Sequence, residues 1–155
     1  MAVDEIAYDA DGWGRGTIWF ADGVLVWHEL PRPAEASEVA TGAHPLVDRL
    51  RRYFAGERMT FDDVPIDLEW CTEFQHAVAK TLRAVPYGEV VTYGELAALA
   101  GYPNAQRAAG TFCAHNRLSL VIPCHRVVAA NGLGSYGSLG VGFKRRLLEL
   151  EGVRL

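Results

Sequence analysis

"TYGELAALAGYPNAQRAAGTFCAHNRLSLVIPCHR", residues 92–126, holds the two features on which the fold and the chemistry turn. Its first half reads as two short helices. Thr92 and Glu95 stand at the S/T-x-x-E spacing of a capping box, in which each side chain satisfies the other's orphan backbone N–H. Gly101 closes that helix, and Asn104 is a residue type that caps the start of the next. Two helices joined by a tight turn over 92–115 make a helix-turn-helix candidate, a pattern that many helical hairpins share. In the second half, "LSLVI" reads as a buried strand stopped by Pro123, and Cys124, His125 and Arg126 follow at once.

Working outward, "TEFQHAVAKTLRAV" places Phe74, Ala77, Val78, Thr81, Leu82 and Val85 at helical spacing until Pro86-Tyr87-Gly88 breaks it. Beyond the cysteine, Asn131-Gly132 marks a turn, and "GFKRRLLELEG" is a C-terminal helix closed by Gly152. Towards the N-terminus, "EIAYDADGWGRGTIWFADGVLVWHEL" reads as strands, with Ile18, Phe20, Val24 and Val26 flanking an Asp22-Gly23 hairpin turn. "PRPAEASEVATGAHP" is a surface connection. "LVDRLRRYFAGER" sets Leu46, Leu50, Tyr53 and Phe54 on one helical face, with Gly56 past its end. The acidic, extended "MTFDDVPIDLEW" links two lobes. The expectation is an α+β protein. Residues 1–68 form a small strand-rich lobe with one helix, and residues 69–155 form a mostly helical lobe containing the helix-turn-helix and Cys124.

Composition narrows the function classes. Half of the 155 residues are hydrophobic, enough for a core, and 22% charged is ordinary for a folded chain. No run of 18 apolar residues exists, so no membrane span is expected. The acidic start "MAVDEIAYDADGWG" does not read as a signal peptide, and the expected location is the cytoplasm. Cys71, Cys113 and Cys124 are too few and too scattered for a disulfide framework, and without a CxxC pair no metal site is expected. The net charge of −4 hides an asymmetry: 14 acidic against 6 basic residues in 1–70, but 5 against 9 in 71–155. A basic C-terminal half suits an anionic partner; an unevenly charged, solvated surface is the alternative.

Cys124 itself admits three readings: nucleophile, metal ligand or packed thiol. A lone cysteine is more often the last of these. Its company argues otherwise, because His125 offers a base and Arg126 a positive charge, and cations lower a thiol's pKa. Neighbours on an extended chain point to opposite faces, so His125 would need a water relay or a bend after Cys124 to act on it. A nucleophile–base pair also wants an orienting third group. Glu151 is a candidate by position, and a solvated helix-end carboxylate is the competing reading.

"IPCHRVV" resembles the active-site motif of the O6-alkylguanine-DNA alkyltransferases, the methylated-DNA–protein-cysteine methyltransferases. "VPYGEVVTYGELAALAG", "QRAAG", Asn116 and "KRRLLELEG" follow in that family's order, and "YFAGER" and "EFQ" also fit, covering residues 45–153. The resemblance implies single-turnover transfer of an alkyl group from O6 of guanine in duplex DNA to Cys124. It implies no cofactor and no obligate protein partner, with the protein a monomer. Under it, His125 takes the thiol proton through a water, Glu151 holds the histidine, and Tyr93 donates towards guanine N3. Arg107 fills the gap left by the flipped nucleotide, with small Ala108 and Gly110 beside it, and binding is from the minor groove. Asn116 ties the turn before Cys124, and Val127, Tyr136 and Ser138 line the alkyl pocket.

The chain also departs from the family pattern. Arg117 replaces a common proline and could add a DNA phosphate contact; Ala79 replaces a tryptophan; the 133–141 loop fits only with a one-residue shift. Three readings compete with transfer: an alkyltransferase-like protein that binds lesions without reacting, a Cys–His–Glu hydrolase, and an inert thiol. The presence of Cys124 weighs against the first.

Overall fold

The computed structural model describes residues 2–33 and 41–155. The chain folds as two compact units. One runs to Asp67 and takes in Arg117–Ser119; the other holds Leu68–Asn116 and Leu120–Leu155.

The first unit is a three-stranded antiparallel sheet with one helix. Strands β1 (Val3–Ala10), β2 (Gly14–Ala21) and β3 (Val24–Arg32) lie in that order. The β2–β3 turn is made by Asp22 and Gly23 at φ 53° and 78°. Two successive left-handed residues are what a tight hairpin with the strands' own twist requires, which is why Asp-Gly stands there. β3 runs through Pro31 and Arg32, further than the sequence implied. Of the expected surface connection, residues 34–40 lie outside the described residues.

Helix α1 (Pro45–Phe54) buries Leu46, Val47, Leu50, Tyr53 and Phe54, the face read from spacing plus Val47. His44 caps it, its Nδ1 accepting from the Leu46 N–H at 3.0 Å. Gly56, at φ 98°, ends it.

The buried polar centre of this unit is His28. Its Nδ1 lies 2.6 Å from the Ser119 carbonyl oxygen, so Nδ1 carries the proton. Its Nε2 therefore accepts from the Tyr8 hydroxyl, 2.7 Å away. Tyr8 crosses Gly16 so closely that a Cβ there would come within 2.6 Å of the ring. Burial drives the His28 pKa down to about 4, against a weaker upward pull from the Ser119 hydrogen bond.

The unfolded chain, with an ordinary imidazole, therefore takes up the proton first as pH falls. His28 contributes its full stabilisation above about pH 6.5, and that contribution drains away towards pH 4, a loss of about 3 kcal/mol. Urea unfolding at a series of pH values should show this acid limb. It should flatten in His28→Gln, and an unchanged limb would rule His28 out as its cause.

The second unit is mostly helical. Helix α2 (Glu73–Arg83) starts in a capping box between Thr72 and Gln75. Strand β4 (Val91–Thr92) leads into α3 (Tyr93–Leu99), whose Thr92–Glu95 capping box is formed in both arms, at 3.0 and 3.1 Å. After the turn comes α4 (Gln106–Ala114). Asn104 is not its cap: Ala105 holds that position without a side-chain bond, and Asn104 sits left-handed at φ 71°. Asparagine tolerates both conformations, and the tight turn uses the second.

"LSLVI" is not a strand. Leu118 makes only an isolated bridge to His28, and Leu120 turns at φ 75°. Residues 124–126 form one 3₁₀ turn, followed by strand β5 (Val127–Val128), which pairs in parallel with β4. A second 3₁₀ turn (Gly137–Leu139) leads into helix α5 (Gly140–Leu150), which Gly152 closes at φ 85°. Val128, Leu133 and Leu148 pack with Val90 and Val153 beneath this end of the unit. The architecture is α+β, as expected. Among the described residues no helix is long and apolar enough to cross a membrane.

Candidate active site

The 3₁₀ turn removes the geometric difficulty between Cys124 and His125. The chain bends at the cysteine, with the Arg126 N–H donating to the Pro123 carbonyl at 2.9 Å. Cys124, His125 and Arg126 are all buried.

His125 Nε2 lies 2.6 Å from Glu151 Oε2, and both side chains are fully buried. Glu151 is thus no solvated helix-end carboxylate. It also accepts from Arg126 Nε at 2.9 Å and Nη2 at 3.1 Å, and from the Gly88 N–H at 3.0 Å. Burial pushes the Glu151 carboxyl up, but the His125 and Arg126 hydrogen bonds and charges outweigh it and hold it well below the usual carboxylate range. Arg126 also donates from Nη1 to the Val85 carbonyl at 2.9 Å. It is therefore the carboxylate's counter-ion, not the cation of Cys124 that adjacency in sequence suggested.

His125 is held neutral. Burial lowers its pKa, and Glu151 only partly offsets this. With Nε2 fixed on the carboxylate as donor, Nδ1 is the basic nitrogen, and it is buried with no hydrogen-bond partner among the described residues. A buried polar atom of that kind calls for a water or a substrate group.

Around the sulfur, Asn116 Nδ2 donates to the Ile122 carbonyl at 2.8 Å and to Cys124 Sγ at 3.1 Å. Asn116 therefore ties the turn and also solvates the sulfur. Burial raises the Cys124 pKa well above that of an ordinary thiol, and a hydrogen bond with Cys113 adds to the rise. Asn116 and the charge of Lys144 pull the other way. The resting sulfur is protonated.

Lys144 is the cation of the site, and sequence reading passed over it inside "KRRLLELEG". It is fully buried, its Nζ 3.2 Å from the Ser135 carbonyl and 5.6 Å from the Tyr93 ring centroid. Burial lowers its pKa to about 8, opposed by the two nearby thiols, Cys113 and Cys124.

Tyr93 is half-buried, and burial drives its pKa up to about 12, so its hydroxyl stays a donor. Ser135 is a hydrogen-bond partner of that hydroxyl. A Cβ on Gly134 would come within 3.2 Å of the Tyr93 ring, a tight contact, and the backbone there is left-handed at φ 76°, so a side chain at this point of the loop would be strained. Gly110 also meets this ring, at an ordinary 3.7 Å for a Cβ.

Val127 is buried on β5 directly after the 3₁₀ turn. Tyr136 stacks on Phe143, while Ser138 is exposed on the second 3₁₀ turn. The serine that touches the site is Ser135, three residues earlier than the aligned one. Arg107 and Ala108 are exposed on α4, whereas Ala109 faces the core. Arg117 belongs to the first unit, with its guanidinium 5.6 Å from the Trp27 ring centroid and its carbonyl accepting from the His28 N–H.

Residues 73–153 match the family described as 6-O-methylguanine DNA methyltransferase, DNA binding domain. The chain belongs to the 6-O-methylguanine DNA methyltransferase family. It is 44% identical over 140 residues to a methylated-DNA–protein-cysteine methyltransferase of Metallosphaera sedula, covering 90% of this chain and 87% of that one. A solved structure of the Mycobacterium tuberculosis O6-methylguanine methyltransferase superposes with a TM-score of 0.83 at 37% identity, over 99% of this chain and 95% of that one. The same organism's OGT in complex with DNA gives 0.78 at 39% identity, over 96% and 92%. The resemblance carried by "IPCHRVV" and its neighbours is thereby borne out, and the cysteine motif lies inside the matched segment.

Proposed function

We propose that the protein repairs O6-alkylguanine in double-stranded DNA by moving the alkyl group onto its own Cys124, once per molecule. The observation that carries this is the open Nδ1 of a buried, neutral His125 whose other nitrogen is fixed on Glu151. That arrangement can take a proton from a neighbouring thiol through one water and hold the positive charge that results.

In the step itself, Cys124 Sγ attacks the alkyl carbon, the S–C bond forms, and the carbon–O6 bond breaks. The thiol proton passes to His125 Nδ1, and Glu151 stabilises the imidazolium. The departing guanine is protonated at N3 by the Tyr93 hydroxyl, and the phenolate recovers a proton from the His125 imidazolium through solvent. The thioether product has no route back to a thiol, so turnover stops at one.

The alkylated atom is inside the base stack, so the nucleotide must leave it. Residues 69–155 serve as the DNA-binding and active-site domain, with α3 and α4 as its helix-turn-helix. Arg107, exposed on α4, fills the gap, and small Ala108 lets the helix approach the minor groove, where readout is largely sequence-blind. Asn116 holds Cys124 in place, and Val127 and Tyr136 bound the alkyl pocket. Its place of work is the cytoplasm, where thiols stay reduced. A lesion-binding role without transfer is not favoured, because the acceptor thiol stands beside a base.

Mass spectrometry after exposure to an O6-methylguanine duplex is the test. One methyl group on the Cys124 peptide and never a second per protein is expected, with none in Cys124→Ala. Arg107→Ala should slow reaction on duplex while sparing free O6-benzylguanine. An unmodified Cys124 peptide, or multiple turnover on an ester or amide, would overturn the reading; equal loss on duplex and free base would remove Arg107's role.

A further inference from the structure

No step of the proposed reaction falls to the first unit, yet that unit includes part of the segment leading to the acceptor sulfur. Arg117–Ser119 folds with residues 1–67, while Asn116 before it and Leu120 after it belong to the second unit. One residue of β3 holds those three. The His28 N–H donates to the Arg117 carbonyl at 2.9 Å, and its Nδ1 donates to the Ser119 carbonyl at 2.6 Å. Leu118, between them, bridges to His28 and is fully buried. The Ser119 bond needs the tautomer with its proton on Nδ1, and the Tyr8 hydroxyl supports that tautomer by donating to Nε2 at 2.7 Å. The residue before Arg117 is Asn116, whose Nδ2 shares its two protons between the Ile122 carbonyl at 2.8 Å and Cys124 Sγ at 3.1 Å. Both protons are spent, so the place of the Asn116 backbone decides whether the second one reaches the sulfur.

We propose that His28, backed by Tyr8, is a positioning residue for alkyl transfer: by holding Arg117 and Ser119 it keeps Asn116 where its amide hydrogen-bonds the Cys124 sulfur. His28 touches neither the sulfur nor the substrate and acts only through the chain. Without its two bonds, residues 117–119 lose their hold at both ends and Asn116 is no longer fixed beside Cys124. The sulfur then loses a donor that favours its thiolate against burial. This inference rests on the alkyl-transfer reading for its effect on the rate, but not for its effect on the thiol. A histidine that served stability alone would lower stability and rate together. A positioning histidine lets the two be separated, because its two ring nitrogens do different things: Nδ1 holds Ser119, and Nε2 only satisfies Tyr8.

The experiment measures single-turnover methyl transfer against duplex concentration in the full-length protein, at a temperature where every variant is folded. His28→Leu should lower the limiting rate about threefold or more, the effect of coupling within one hydrogen-bonded network, and leave the half-saturating duplex concentration unchanged. His28→Asn can place its Nδ2 where Nδ1 stands, so it should lose stability, with Tyr8 deprived of its acceptor, yet recover most of the rate. Asn116→Ala already lacks the bond to sulfur, so adding His28→Leu to it should slow transfer little further. Tyr8→Phe should give the His28→Leu pattern in smaller measure, because the imidazole is then free to move its proton to Nε2; it also serves as the test if His28→Leu does not fold. A wild-type limiting rate in folded His28→Leu, or in Tyr8→Phe where it stands in, would overturn the proposal. So would equal slowing in His28→Asn and His28→Leu, a loss confined to duplex affinity, or additive losses with Asn116→Ala. Labelling of Cys124 by iodoacetamide, read by peptide mass, should follow the same order of variants. It tests the positioning even if no methyl group is ever accepted, and labelling at the wild-type rate throughout would count against His28.

Discussion

Glu151→Ala should lose about 3–5 kcal/mol of folding stability, the usual consequence of removing one partner from a buried ion pair. For a chain of this length that is a fall in Tm of about 10 °C. Glu151 is an anion shared by two buried groups, one cationic and one able to become so, and it also accepts from the Gly88 N–H. Its removal leaves Arg126 charged in an apolar setting beside the Val85 carbonyl and the face of Tyr87. The same change frees the His125 ring to rotate and removes the negative charge that stabilises its protonated form. Methyl transfer to Cys124 should therefore slow at temperatures where the variant is still folded. Glu151→Gln keeps the shape and one acceptor, so it should lose less stability while still slowing transfer. Thermal unfolding alongside single-turnover methylation separates the two effects. A Glu151→Ala protein as stable as wild type would show that Arg126 does not depend on this carboxylate.

What could be read from the sequence were the features fixed by near neighbours. The Asp22-Gly23 turn, the Thr92–Glu95 capping box, the apolar face of α1 and the Cys124-His125 motif each depend on residues a few positions apart. The failures share one cause. A short apolar run such as "LSLVI" satisfies a buried strand and a buried turn equally, and only Leu120's left-handed backbone decides between them. Arg126 looked like the cation of Cys124 because it is two residues away, yet the 3₁₀ turn sends its side chain to Glu151. Cys113, Ser135 and Lys144 reach the site from α4, the loop before α5, and α5 itself, so nothing near Cys124 in sequence marks them. One signal for Lys144 was available: the α5 spacing that buries Leu147 and Leu148 also turns position 144 inward, and a lysine on an inward face is unusual enough to question.

That lysine supports the remaining expectation: Lys144→Met should fold at least as well as wild type yet transfer alkyl groups severalfold more slowly near neutral pH, because removing the ammonium raises the thiol pKa further. The stability half follows from the sign of the shift. The folded pKa of about 8 lies below the ordinary lysine value of 10.5, so the unfolded chain binds the proton more tightly and the charged lysine opposes folding below about pH 8. A methionine of similar length removes that opposition and leaves only the Ser135 carbonyl without its donor. The chemical half follows from the same charge, which lowers the Cys124 pKa against burial and against Cys113. As pH rises through about 8 the lysine loses its proton and its influence with it, so wild-type and variant rates should converge above that point. Thiol reactivity towards iodoacetamide across a neutral-to-alkaline pH series, run beside denaturant unfolding, reads both halves. Equal rates for the two proteins at neutral pH would mean the ammonium does not act on the sulfur. A variant that is both slower and less stable would mean Lys144 is a structural residue whose loss disturbs the site as a whole.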